Sequence, residues 1–137
     1  QGTRYILIEF PFGPWNRGML DCVERLLSKN YIPIIAHIDR YLSFPKAKEY
    51  ILKMYNAGAI LQVNVSFAEK FFLKRKILKY FKNNMISLLG TDCHNNETRS
   101  PKYKVYTDKI VKCIGEEKMN IIQRKQYGIL ENAYTID

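Results

Sequence analysis

The chain has 137 residues, enough for one domain with a real core, and 47% of them are apolar. No stretch is rich in Gly, Ser or Pro for more than a few positions, the apolar runs are far too short for a membrane span, and no basic-then-apolar leader opens it. These features exclude disordered, fibrous and membrane-inserted classes; the net charge of +9 raises nucleic acid and membrane surfaces as partners to be weighed.

In chain order, an apolar run Tyr5-Ile-Leu-Ile-Glu-Phe10 reads as the first strand, and Pro11 to Pro14 break the backbone after it. Asn16 can cap a helix over about 17–29 that carries Leu20, Val23, Leu26 and Leu27 on one face. A second strand, Ile32-Pro-Ile-Ile-Ala-His37, runs into a loop to Tyr41. Ser43 before Pro45 predicts the start of a helix reaching Asn56, with Gly58 just past its end. The third strand, Ala59-Ile-Leu-Gln-Val-Asn-Val65, leads to a long basic helix that Asn83-Asn84 stops. The fourth, Ile86-Ser-Leu-Leu-Gly-Thr-Asp92, is followed by a polar loop to Pro101 and one or two helices to about Gln126; the last dozen residues are weakly patterned.

Much of the charge excess sits in Lys70, Lys74, Arg75, Lys76, Lys79 and Lys82, on the helix whose Leu73, Ile77 and Phe81 recur at i, i+4 and i+8. That pattern is a solvated face opposite a buried stripe, and no aromatic-basic interleaving accompanies it, so no nucleic-acid partner is expected. Cys22, Cys93 and Cys113 form no CxxC pair or disulfide framework, which points to a reducing cytoplasm. The chain opens at Gln1 rather than Met and enters its first strand within a few residues, and it is read as part of a larger protein.

The four runs end in Glu9, His37, Asn64 and Asp92, at intervals of 28, 27 and 28 residues. A strand-helix unit repeated four times, with strands apolar throughout, implies parallel strands buried on both faces. Polar residues at the carboxyl ends of such strands are where α/β enzymes build their sites. Four units are about half of an eight-unit barrel, or an open sheet; a closed barrel needs roughly 250 residues.

Asp92 and His94 stand two apart at one strand end, and Glu9 and His37 end neighbouring strands. Two carboxylates and both histidines of the chain on one rim make a hard-to-borderline metal site suited to Mn, Fe or Zn. Each alone would be an ordinary capping or hydrogen-bonded residue; their joint placement favours the metal. Arg40, three residues after His37, can hold two oxygens of a phosphate, and Asp39 is a lesser candidate as ligand or as an acceptor behind the ligands. Cys93 to Arg99 also fits Cys-x5-Arg, the pattern of cysteine-dependent tyrosine phosphatases. There Asp92 takes the place of the usual preceding His, no glycine lies inside, and a neighbouring carboxylate raises a thiol's pKa, so the pattern is read as a decoy.

The stretches Gly2 to Pro11, Ala36 to Tyr41, Leu61 to Ser66 and Gly90 to Asn95, with Arg99 and Pro101, together resemble the bacterial metal-dependent protein tyrosine phosphatases of capsule and exopolysaccharide operons. These belong to the polymerase and histidinol phosphatase (PHP) superfamily. The resemblance implies a distorted TIM-like (β/α)7 barrel, of which residues 1–137 supply about four units as a single domain. It also implies a cluster of up to three metal ions, commonly manganese, with Fe, Zn and Mg as alternatives. Carried over by position, Glu9, His37, Asp92 and His94 are metal ligands and Arg40 binds phosphate; Tyr41, Asn64 and Arg99 are expected to contact substrate or shape the rim. Phosphotyrosine would be hydrolysed by a metal-bound hydroxide, and the substrate would be the tyrosine kinase that controls polysaccharide export.

The resembling family opens with a His-x-His strand and further ligands that this chain lacks, so weak metal retention and little activity are expected of it alone. An unpaired sheet edge makes a homo-oligomer a reasonable expectation. Two other readings stay open: a PHP phosphoesterase acting on a small phosphorylated metabolite, and a non-catalytic module whose basic face docks a partner.

Overall fold

The four apolar runs form one parallel sheet with strands in chain order, β1 (Tyr5–Ile8), β2 (Ile32–Ile35), β3 (Ile60–Asn64) and β4 (Ile86–Gly90). The computed structural model describes residues 3–93 and 102–134. The register runs Tyr5 against Ile32 through Ile8 against Ile35, and ends with Asn64 against Gly90. A shift between Leu61 and Gln62 interrupts the β3–β4 ladder.

Helix α1 (Arg17–Ser28) connects β1 to β2. As its sequence requires, the Asn16 side chain accepts the Met19 N–H at 3.3 Å, and Leu20 and Val23 are buried. The stretch after β2, read as a loop, contains a single helical turn, α2 (Ile38–Tyr41). Four residues are too few to leave a periodic signal. Helix α3 (Ala47–Ala57) starts later than Ser43 and Pro45 suggest, because Lys46 takes a left-handed conformation (φ 60°) and separates Pro45 from the helix; Gly58, at φ 114°, closes it as expected. After β3 a 3-10 turn (Val65–Glu69) precedes the basic helix α4 (Phe71–Lys82), whose Ile77 and Phe81 are buried. Helices α5 (Tyr103–Ile114) and α6 (Glu116–Tyr134) follow. The last of these continues eight residues past the expected end near Gln126, into the weakly patterned final dozen residues.

The core lies between sheet and helices, around Ile35, Ile38, Ile51, Leu61, Val63 and Ile77. At the β1 end it becomes aromatic: Trp15 packs edge-on to Phe10 (ring centres 5.6 Å apart) and against Tyr41 (5.0 Å). β1 forms one edge of the four-stranded sheet, and its Leu7 is 68% exposed. At the other edge α6 covers β4: the Gln126 side-chain oxygen accepts the Leu89 N–H at 3.4 Å and its amide donates to the Leu89 carbonyl at 3.5 Å. One glutamine thus occupies the backbone groups that a further strand would use. Among the described residues no helix is long and apolar enough to cross a membrane.

Candidate metal and phosphate site

The residues at the carboxyl ends of β2, β3 and β4 come together on one rim. His37 and Asp92 each lie two residues past a strand end, and both adopt left-handed backbone conformations, φ 52° and 54°. That conformation costs an ordinary L residue roughly 1–2 kcal/mol; residues held there mark turns whose side-chain direction matters more than backbone ease. The two turns bring the His37 Nε2 to 3.7 Å from an Asp92 carboxylate oxygen, across the end of β3 between them.

The other face of the imidazole is fixed from below. Its Nδ1 lies 2.7 Å from the Asn64 side-chain oxygen, which also accepts from the Gln62 amide at 3.4 Å. A carbonyl oxygen cannot donate, so Nδ1 carries a proton, and Nε2 is the ring nitrogen that faces Asp92. Gln62 holds the turn itself, its oxygen accepting the His37 N–H at 2.7 Å while its amide donates to the Val63 carbonyl at 2.9 Å. Room for that side chain comes from Gly90: a Cβ there would stand 2.4 Å from the Gln62 amide nitrogen.

Arg40 projects from α2 and spans both carboxylates, donating to Glu9 at 2.7 Å and to Asp92 at 3.0 Å. Its helical turn is pinned at two points. Asp39 is buried and accepts the Asn64 N–H at 2.8 Å, and burial pushes its carboxyl above the usual range although that hydrogen bond pulls the other way. Tyr41 is 1% exposed and donates its hydroxyl to the Phe10 carbonyl at 2.6 Å.

Tyr41 lies within the aromatic core, where the Phe10 carbonyl takes up its hydroxyl. Asn64 is buried beneath His37 and reaches the rim through that imidazole. Glu9, with a side chain 56% exposed, joins the cluster through Arg40, and among the described residues no three His, Cys, Asp or Glu side chains stand close enough to share an ion. His94 lies outside the described residues, and so does Arg99, the arginine of the Cys-x5-Arg pattern; Cys93 is exposed. Gln62 escaped sequence reasoning, although a glutamine inside an otherwise apolar buried strand was the available signal.

What remains fits a cation. Two ligand atoms on one ion at 2.0–2.1 Å stand roughly 3–4 Å apart, and His37 Nε2 and Asp92 meet that spacing. An imidazole whose second nitrogen is tied to a buried amide is also the usual arrangement behind a ligating histidine.

Residues 1–130 match the family model described as capsular polysaccharide synthesis, CpsB/CapC. The chain belongs to the CpsB/CapC family. It is 29% identical over 142 aligned residues to the tyrosine-protein phosphatase CpsB of Streptococcus agalactiae serotype III (strain NEM316), covering 96% of this chain and 58% of that protein. With the tyrosine-protein phosphatase YwqE of Bacillus subtilis (strain 168) identity is 33% over 101 residues, 72% of this chain and 40% of the relative. A solved structure from work on YwqE and Streptococcus pneumoniae CpsB, described as unique metal-dependent tyrosine phosphatases, superposes with a TM-score of 0.84 at 29% identity. It covers 95% of this chain and 54% of that one. The chain therefore spans about half the length of these CpsB/CapC relatives, and the rim described above belongs to the shared part.

Proposed function

We propose that this protein acts as a metal-dependent protein tyrosine phosphatase in capsular or exopolysaccharide synthesis. The observation that carries this reading is the His37–Asp92 pair, with the imidazole Nε2 3.7 Å from a carboxylate oxygen and Arg40 beside it. His37 and Asp92 hold a metal, manganese in this reading, with Glu9 and His94 completing the ligand set. Bound there, the metal would supply Lewis-acid chemistry, lowering the pKa of water and offsetting phosphate charge. Asn64 and Gln62 keep the His37 ring in the ligating tautomer. Arg40, a planar fork already pairing two oxygens, binds the phosphate and stabilises charge that builds on it, and Arg99 assists. The four strand-helix units are the corresponding part of a distorted (β/α)7 barrel. The protein works in the cytoplasm, and its substrate is a phosphotyrosine protein, the tyrosine kinase of the polysaccharide export system.

The test is phosphotyrosine-peptide hydrolysis by the full-length protein, with metal content measured alongside. Hydrolysis that disappears on metal removal and returns with manganese is the expected result. Equal or better turnover of small sugar phosphates would redirect the substrate assignment.

A further inference from the structure

Beside the rim a groove runs between α3 and α4, which rest on different neighbours: α3 on α1, and α4 on the 3-10 turn and α5. The end nearest the site is a cavity of about 400 Å³ bounded by Arg40, Lys70, Lys76, Phe12, Phe72 and Leu73. A second cavity of about 340 Å³ continues it along Lys48, Leu52, Lys76, Lys79 and Met85, the two sharing Leu42 and Lys76. At the junction the Lys76 ammonium donates to the Leu42 carbonyl at 3.3 Å. Five cationic side chains thus flank a trough that follows α4 from Lys70 to Asn83. The carboxylate in its wall is Asp39, which is buried and engaged with the Asn64 N–H.

Three features identify the occupant. The charge calls for an acidic ligand. The apolar lining, Leu42, Leu52, Leu73 and Met85, with Phe12 and Phe72 at 75% and 79% exposure, suits the side chains of an extended polypeptide better than a sugar-phosphate backbone. The trough begins at Arg40, the group assigned to the phosphate. We propose that this groove binds the polypeptide flanking the phosphotyrosine and selects acidic residues there. The inference rests on the phosphatase reading and deepens it by naming the substrate's sequence class.

The test uses the metal-loaded full-length protein and three substrates: free phosphotyrosine, a phosphotyrosine peptide with acidic flanks and the same peptide with neutral flanks. The acidic peptide should have the higher kcat/KM by roughly tenfold at low salt, through KM, with the advantage fading as salt screens it. Lys48→Glu with Lys79→Glu, both on exposed helix positions, should bring the ratio near one while leaving turnover of free phosphotyrosine unchanged. Fluorescence anisotropy with a non-hydrolysable phosphonate peptide reads the same preference as binding. Equal handling of the two peptides by the unmodified protein, or a ratio that survives the charge reversals, would overturn the inference while leaving the phosphatase reading intact. An oligonucleotide of equal charge that binds as tightly as the acidic peptide would overturn it too. Failure to cleave free phosphotyrosine with acidic-peptide binding retained would instead sink the phosphatase reading.

Discussion

Asn64 sets the protonation pattern of His37 through one hydrogen bond, and that makes it the most informative single residue to change. Replacing it with leucine keeps the volume but leaves the Nδ1–H facing an apolar group, so the ring loses the constraint that directs Nε2 at Asp92. Loss of such a supporting partner typically weakens metal affinity 10–100-fold. Asn64→Leu should therefore lose manganese to a competing chelator at that level with its circular dichroism unchanged, while Asn64→Asp, which keeps an acceptor, retains most of the affinity. Unchanged affinity in the leucine variant would mean that the imidazole is oriented by something else. Gly90 acts one step further back. In Gly90→Ala the added methyl collides with the Gln62 amide, and Gln62 cannot swing away without releasing both His37 and Val63. Overpacking of this kind costs about 1–3 kcal/mol, to be read from urea denaturation together with the same loss of metal affinity.

At the scale of elements, the strands were legible because each is a short apolar run bounded by turn residues, and the nearly constant spacing of Glu9, His37, Asn64 and Asp92 already implied repeated strand-helix units. The helices with a cap or a stripe, α1 and α4, were legible for the same reason. Helix α2 was not, since a single turn is held by tertiary contacts, the Tyr41 hydroxyl and the Asp39 carboxylate, that no local pattern encodes. The same holds within the candidate site: residue types named His37, Asp92 and Arg40, whereas the roles of Gln62 and Gly90 depend on the register between β3 and β4. The edge of β4 provides a further test. Gln126→Ala removes two long hydrogen bonds, together about 0.5–1.5 kcal/mol, and frees the Leu89 backbone. Amide exchange at Leu89 should quicken while that of Val63 in the sheet interior holds; no change at Leu89 would mean that the glutamine does not guard this edge.

Across the whole molecule, the charge that composition left ambiguous is divided between a solvated helix face and a groove that starts at Arg40. The two sheet edges also differ, one covered by α6 and the other carrying the exposed Leu7. The proposed function is metal-assisted phosphate chemistry, and the Cys-x5-Arg pattern offers a different mechanism for the same reaction. One measurement separates them: phosphotyrosine hydrolysis by the full-length protein, before and after complete metal removal, with Asp92→Asn and Cys93→Ser variants alongside. Activity should vanish without metal, return with manganese, fall at least about 100-fold in Asp92→Asn and persist in Cys93→Ser. Activity that survives metal removal and is abolished by Cys93→Ser would contradict the account.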